Sequence, residues 1–323
     1  MNIFITGASG FVGKAFLKKL KPLLAGADRA YCLSRLPAAA DAEHIIPLVG
    51  DLRAPETFKT ELLGSDYVVH IGGAPDLSAN KEEAGLNYTS TRDLLAMVKG
   101  LGRIKKFIYV SSIAAAGRPR GPIAGPLTAD NSALPGSEYG LSKRKAEEAV
   151  IASGLPFTIF RPGFVYGEGM RPRSHINRFV SLAVRNSPLA HFNFPGKLSL
   201  IHVDDLAAAL AGSLAAGPAS GNIYFAQTET RTAGEIFSLI KTVLTGAAPR
   251  QVPVPGLNSL PWFFRRFIPA GAMALLSDSF WARDAAFSRD FMKEPGPRRI
   301  DGSIWDVIKS NQDFILKQAQ KRG

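Results

Sequence analysis

A chain of 323 residues with 46% hydrophobic and 20% charged side chains can bury one large core or two adjoining ones, so a globular protein is expected. The net charge of +12 suits anionic ligands, but the basic residues are scattered without a basic helix or a stacking-aromatic motif, so nucleic acid is not expected as a partner. The single cysteine, Cys32, excludes an internal disulfide and reads as a small buried hydrophobe; the five histidines never fall at metal-ligand spacing, so no metal is expected, and no apolar run is long enough to span a bilayer.

In chain order, the apolar run at 2–5 leads into Thr6-Gly7-Ala8-Ser9-Gly10-Phe11-Val12-Gly13. That pattern predicts a strand, a glycine-spaced turn and a helix over 11–20. A strand starting this early leaves no space for a secretion signal ahead of it, and a cytoplasmic protein is expected. Further apolar runs at 30–34, 45–49, 67–71, 107–111 and 157–160 predict strands, with helical spacing at 83–101 and 139–153 between them. The alternation predicts an α/β fold, a Rossmann doubly wound parallel sheet covered on both faces.

After Arg161-Pro162-Gly163 the rhythm breaks. Helices are expected at 175–186, 203–216, 233–244 and 303–320, in a smaller C-terminal α/β substrate domain. The expected division is a dinucleotide-binding domain over 1–165 and a mainly substrate-binding domain over 166–323, with 197–228 returning to the Rossmann core. Residues 249–269, rich in Pro, Phe and Trp, read as an apolar lid, as core, or as a peripheral membrane contact through 261–269.

The glycine turn carries the first chemistry. Gly7 permits the tight turn, Gly10 the close approach of a phosphate, and Gly13 close helix–sheet packing, while backbone N–H groups around Ser9, Phe11 and Val12 face a dinucleotide pyrophosphate at the helix N-terminus. At the end of the second strand, Leu33-Ser34-Arg35 lacks the Asp or Glu that binds a ribose 2′-hydroxyl in NAD-preferring proteins. Arg35 instead matches a 2′-phosphate, so NADP is the expected cofactor, with NAD the alternative if Arg35 is plain surface charge. Asp51, followed by Leu52, either accepts from the adenine amino group or caps the next turn.

Tyr139 and Lys143 lie four residues apart on a predicted helix and share a face. A phenol with an ordinary pKa of about 10 is a poor base at neutral pH, but an adjacent ammonium stabilises the phenolate. Tyr139 is then a proton donor and acceptor for a carbonyl or alcohol oxygen, with Lys143 also reaching the nicotinamide ribose. Ser112 closes a strand at the sheet's C-terminal edge, where it can hydrogen-bond the reacting oxygen.

This ordered series resembles the extended short-chain dehydrogenase/reductase family. The resemblance runs through Thr6–Gly13, Asp51, the strand end His70-Ile71-Gly72-Gly73-Ala74, Asn87, Ser112, Tyr139/Lys143, Arg161-Pro162-Gly163-Phe164-Val165-Tyr166-Gly167 and Ile201-His202-Val203-Asp204-Asp205. It implies a Rossmann fold and a Ser112–Tyr139–Lys143 triad with Asn87 in a proton relay. It also implies Gly72, Pro162 and Gly163 against the cofactor, Ala114, Phe164 and His202 with Ser112 toward the substrate, and a homodimer through the helices carrying Asn87 and Tyr139.

Two departures bear on the substrate. Sugar-nucleotide dehydratases of the family carry Asp-Glu after the active-site Ser/Thr, where this chain has Ile113-Ala114, and sugar-nucleotide members tend to carry Arg-Asp where it has Leu198-Ser199. The chain is therefore most similar to the 3β-hydroxysteroid dehydrogenase and dihydroflavonol reductase branch. That implies an NADP-dependent carbonyl/secondary-alcohol oxidoreductase acting on a steroid-, terpenoid- or flavonoid-like small molecule. A nucleotide-sugar epimerase or ketoreductase is the alternative, with Arg171, Arg173, Arg178 or Arg185 taking the phosphates. A catalytically silent nucleotide-binding protein is the third reading.

Overall fold

The computed structural model describes residues 1–35, 43–74, 81–117, 126–128, 133–172, 174–215, 221–256, 275–276, 281–292 and 296–310. Residues 257–269 of the expected lid and 311–320 of the expected last helix lie outside the described residues.

The first half alternates strand and helix: β1 (Asn2–Thr6), α1 (Phe11–Leu20), β2 (Arg29–Ser34), β3 (Ile45–Val49), α2 (Lys59–Leu63), β4 (Tyr67–His70), α3 (Lys81–Val98), β5 (Lys106–Val110), α4 (Glu138–Ala152) and β6 (Phe157–Pro162). There follow β7 (Phe164–Tyr166), α5 (His175–Val184), β8 (Phe192–Asn193), β9 (Lys197–His202), α6 (Val203–Ala215), β10 (Asn222–Ala226), β11 (Glu229–Thr232), α7 (Ala233–Thr245), β12 (Val252–Pro253), α8 (Ala285–Phe291) and α9 (Ile300–Ser310). The expected helix over 83–101 stops at Val98, where Gly100 at φ +85° takes a left-handed conformation that ends it.

A seven-stranded sheet runs β10-β6-β5-β4-β1-β2-β3, each neighbouring pair parallel. This is the doubly wound Rossmann-like fold. The order reverses between β1 and β4, which opens a crevice at the C-terminal strand ends. Alternating side chains of each strand feed two cores. Ile3 and Ile5 join Phe16 of α1 and Leu206 and Leu210 of α6 on one face, while Phe4 joins Leu94 and Leu95 of α3 and Ala146 and Val150 of α4 on the other.

A second sheet, β11-β9-β7, packs with α5, α7 and α9 around Phe179, Leu198, Phe237 and Ile304. Phe179 and Phe237 meet with their rings tilted by 55° and their centroids 4.8 Å apart. The late helix α8 returns to the main sheet instead. Phe287 joins the α1/α6 core, and Phe291 meets Phe160 and Tyr224 at 5.3 and 5.1 Å.

Candidate dinucleotide and catalytic site

The three glycines of the first turn serve different neighbours. A Cβ on Gly7, whose φ is +73°, would fall 2.6 Å from the Gly72 nitrogen, and one on Gly13 would fall 2.1 Å from the Gly7 carbonyl oxygen. Packing alone demands both. Among the described residues a Cβ on Gly10 would meet only the Gly7 oxygen, at 3.2 Å, which leaves space above Gly10 for a ligand. Gly10 caps α1 without any side-chain acceptor for the first-turn N–H groups, and no carboxylate stands in that turn. A pyrophosphate fits this cradle by charge and by shape. Ser9 is exposed beside it, Phe11 and Val12 are half-buried, and Phe11 packs against both the sheet core and the second core.

The strand end beneath the cradle is held by a chain of hydrogen bonds that fixes a histidine tautomer. The Gly72 N–H donates to Thr6 Oγ1 (3.0 Å), which lies 2.7 Å from His70 Nδ1. On the other side His70 Nε2 lies 2.9 Å from Thr91 Oγ1, and that hydroxyl donates to the Asn87 carbonyl. Because the Thr91 proton is committed to Asn87, Nε2 carries the imidazole proton and Nδ1 accepts from Thr6. Full burial and the nearby Lys143 charge pull the His70 pKa down to about 3, so the ring is neutral.

Ser112 stands at the C-terminal end of β5, against the first turn of α4, the helix that carries Tyr139 and Lys143. Ser112 caps a single 3₁₀ turn, its hydroxyl accepting from the Ala114 N–H at 3.2 Å. The Ala114 carbonyl presses against the first turn of α4, where a Cβ on Gly140 would fall 2.7 Å from it. Arg144 ties the same turn from above, donating through Nε to the Ala115 carbonyl (2.7 Å) and through Nη2 to that of Ala116 (3.2 Å). The serine turn is thus locked to the helix that carries the tyrosine.

Lys143 is buried, one turn along α4 from half-buried Tyr139, its Nζ donating to the Val110 carbonyl (3.0 Å) and standing 4.9 Å above the Tyr109 ring. Burial drives its pKa down to about 8, while Glu147 one turn further along α4 pulls it back up. Asn87 on α3 completes the group. Its Nδ2 donates to the Ala74 carbonyl (3.3 Å) and to Ser142 Oγ (3.2 Å), and Ser142 in turn donates to the Tyr139 carbonyl (2.7 Å). The buried Asn87 Oδ1 has no hydrogen-bond partner among the described residues, an acceptor suited to a donor brought by ligand or water.

At the adenosine end, Arg35 is exposed directly after β2. Asp51 accepts from the Arg53 backbone N–H (2.9 Å) and from its guanidinium through Nε (3.1 Å) and Nη2 (2.7 Å), while Leu52 leans on the α3/α4 core. The Arg53 bonds, with Arg35 adding its charge, hold the Asp51 carboxyl down at about 2. The carboxylate caps its own turn.

On the substrate side, Pro162 ends β6 in register with Ala226, and Gly163 is forced by packing, since a Cβ there would fall 2.3 Å from the Ser199 carbonyl oxygen. Phe164 meets the His175 ring edge-on at 5.0 Å. His202 is spent within the second sheet. Its ring edges onto Tyr166 at 5.3 Å and its Nδ1 accepts from the Asp204 N–H, with no bond to the Ser112 group among the described residues.

Two features here escape a reading of the sequence. Ile113, Ala116, Leu127, Phe225 and Ala282 form a separate apolar cluster directly after Ser112. Ser199, fully buried, accepts from the Ala282 N–H (2.9 Å) and donates to its carbonyl (3.4 Å), so a segment from the far end of the chain seals β9.

A family model described as the NAD dependent epimerase/dehydratase family matches residues 3–224. The chain belongs to that family. Among curated relatives, a UDP-glucose 4-epimerase of Vibrio cholerae is 28% identical over 217 residues, covering 64% of this chain and 64% of the relative. A ceramide reductase of Caulobacter vibrioides is 27% identical over 266 residues, covering 79% and 74%. The match thus spans less than two-thirds of the epimerase's length. A solved structure of UDP-glucuronic acid 4-epimerase from Bacillus cereus, in complex with UDP-glucuronic acid and NAD, superposes with a TM-score of 0.72 at 20% identity, covering 98% of this chain and 99% of that one.

Proposed function

We propose that this family member is an NADP(H)-dependent oxidoreductase that interconverts a carbonyl and a secondary alcohol on a largely apolar small molecule. The observation that carries the substrate class is the buried pair Leu198-Ser199. Where nucleotide-sugar members of the family tend to carry Arg-Asp, with the arginine on the diphosphate, this chain has Leu198, buried in the second core, followed by Ser199, whose hydroxyl bonds the Ala282 backbone. Directly after Ser112 the chain packs into the buried apolar cluster of Ile113, Ala116, Leu127, Phe225 and Ala282, so the ground beside the serine is apolar and uncharged. The lack of a diphosphate-binding arginine there favours a steroid-, terpenoid- or flavonoid-like ketone, as in the 3β-hydroxysteroid dehydrogenase and dihydroflavonol reductase branch.

Bound in the glycine cradle, the nicotinamide cofactor supplies or accepts the hydride. The protein handles the proton. Tyr139 donates it to the carbonyl oxygen in reduction and removes it from the hydroxyl in oxidation, Ser112 hydrogen-bonds that oxygen, and the Lys143 ammonium lowers the cost of the phenolate. Asn87 steadies the Tyr139 turn through Ser142 and offers Oδ1 to a water-borne proton path. Arg35, standing at the end of β2 where NAD-preferring proteins carry an acid, favours the 2′-phosphate of NADP.

The match to a UDP-glucose 4-epimerase favours a second reading, a nucleotide-sugar epimerase or ketoreductase. Calorimetric titration with NADP and NAD, followed by turnover of apolar ketones and of nucleotide sugars on the preferred complex, separates the two. NADP preference with ketone turnover supports the first. NAD preference with a nucleotide-sugar response replaces it.

A further inference from the structure

Tyr139, Lys143 and Glu147 follow one another at four-residue intervals on α4, and only the first two have a place in the proton chemistry described above. Glu147 is 1% exposed and is not idle. Its Oε1 accepts from the Ser111 hydroxyl at 2.5 Å and from Arg161 Nε at 2.9 Å, while Oε2 accepts from Arg161 Nη2 at 2.7 Å. Arg161 is 3% exposed and lies 5.3 Å over the Phe225 ring of β10. The cluster spans three elements at the points where they deliver function: Ser111 immediately precedes Ser112, Arg161 immediately precedes Pro162-Gly163, and Glu147 is one turn from Lys143.

Burying such a pair is costly in general, and an apolar replacement of equal volume often gives equal stability. Its location, rather than stability, explains it. The groups facing Lys143 are the Val110 carbonyl and Tyr109 ring from β5, neutral His70 from β4, Asn87 from α3, and Tyr139 and Glu147 from its own helix. Among these described neighbours Glu147 is the carboxylate, so the negative charge that offsets the burial of the ammonium comes from it.

We propose that Glu147 is a positioning residue for the reaction: held by Ser111 and Arg161, it fixes α4 against the ends of β5 and β6 and keeps the Lys143 ammonium protonated beside Tyr139. The inference rests on the reading of Lys143 as the cation that serves Tyr139. Arg161 holds the carboxylate in place through two hydrogen bonds, and Ser111 adds a third from the strand that leads to Ser112.

The test reads Lys143 directly and needs no substrate. Protein labelled with ¹³C at lysine Cε is titrated by NMR as the wild type, Glu147→Gln and Glu147→Gln/Arg161→Met, with Lys143→Met assigning the resonance. The wild-type midpoint is expected near pH 8. Glu147→Gln is expected to lower it by about one unit or more, because the offsetting charge is lost while the Arg161 charge stays. The double variant, which carries neither charge, is expected to fall between the two.

A midpoint unchanged in both variants overturns the proposal. Collapse of both variants overturns it as well, since the cluster would then be a folding requirement and nothing more. Failure to turn over any ketone would instead sink the functional reading above and leave this titration unaffected.

Discussion

The side-chain oxygen of Asn87 stands where a side chain at residue 73 would have to go: a Cβ on Gly73 would fall 2.3 Å from Oδ1 and 3.5 Å from Lys143 Nζ. The second glycine of His70-Ile71-Gly72-Gly73 is therefore the space that Asn87 occupies. Gly73→Ala is expected to swing the amide off Ala74 and Ser142 and to cost about 1–3 kcal/mol of stability. Adding Asn87→Ala should return part of that loss. Denaturant unfolding of the two single variants and the double gives the coupling, and strict additivity would show that the two positions do not compete.

Removing the phenol hydroxyl should separate chemistry from binding. Tyr139→Phe is expected to lower turnover about 10²–10⁴-fold while NADP affinity changes little, because the lost group acts on the substrate oxygen. Steady-state kinetics paired with calorimetry on the same preparation checks this. A parallel collapse in cofactor affinity would make Tyr139 a binding residue.

His70 gives the fold a specific acid sensitivity. Its pKa is about 3 in the folded chain, against about 6.5 when unfolded, so between those values the unfolded state binds the extra proton. Stability is complete above pH 6.5 and falls as the pH drops toward 3, by about 1.4 kcal/mol per unit from this group. His70→Gln should flatten that slope. Urea unfolding at several pH values from 7 to 4 measures the difference, and identical slopes would mean the ring is not held neutral.

Arg35→Asp should reverse the cofactor preference. A guanidinium on the 2′-phosphate is worth about 1.5–3 kcal/mol as a charge-assisted bond, so NADP affinity is expected to fall roughly 10- to 100-fold, with NAD equal or tighter. Titrating both nucleotides against both proteins decides it. Unchanged NADP affinity would leave Arg35 as surface charge.

The parts of the site legible in the sequence are those built from neighbours along the chain. The glycine turn, the Tyr139/Lys143 spacing and the apolar runs of β1 to β6 all signal themselves within a dozen residues. What pairs across strands does not. Ser111 meets Arg161 only because the Ser111 N–H bonds the Phe160 carbonyl in the β5–β6 register, so the buried cluster around Glu147 has no local mark beyond a carboxylate one turn past Lys143. Arg144 reads as an ordinary surface cation until the serine turn is seen against α4. The short strand β7 and the interrupted β9, with Ser199 in its middle, carry too little alternation to be told from loop.

The return of α8 to the main sheet limits how this chain can be cut. Phe287 and Phe291 cover Phe160 and Tyr224, and Asp284 accepts from both the Phe225 and Phe287 N–H groups, so the nucleotide-binding core is finished by residues more than a hundred positions after β6. A chimera that exchanges the substrate-facing region must therefore graft two separate stretches around 281–292 and leave that helix with its original sheet, and a truncation anywhere before it strips aromatic cover from the nucleotide-binding half.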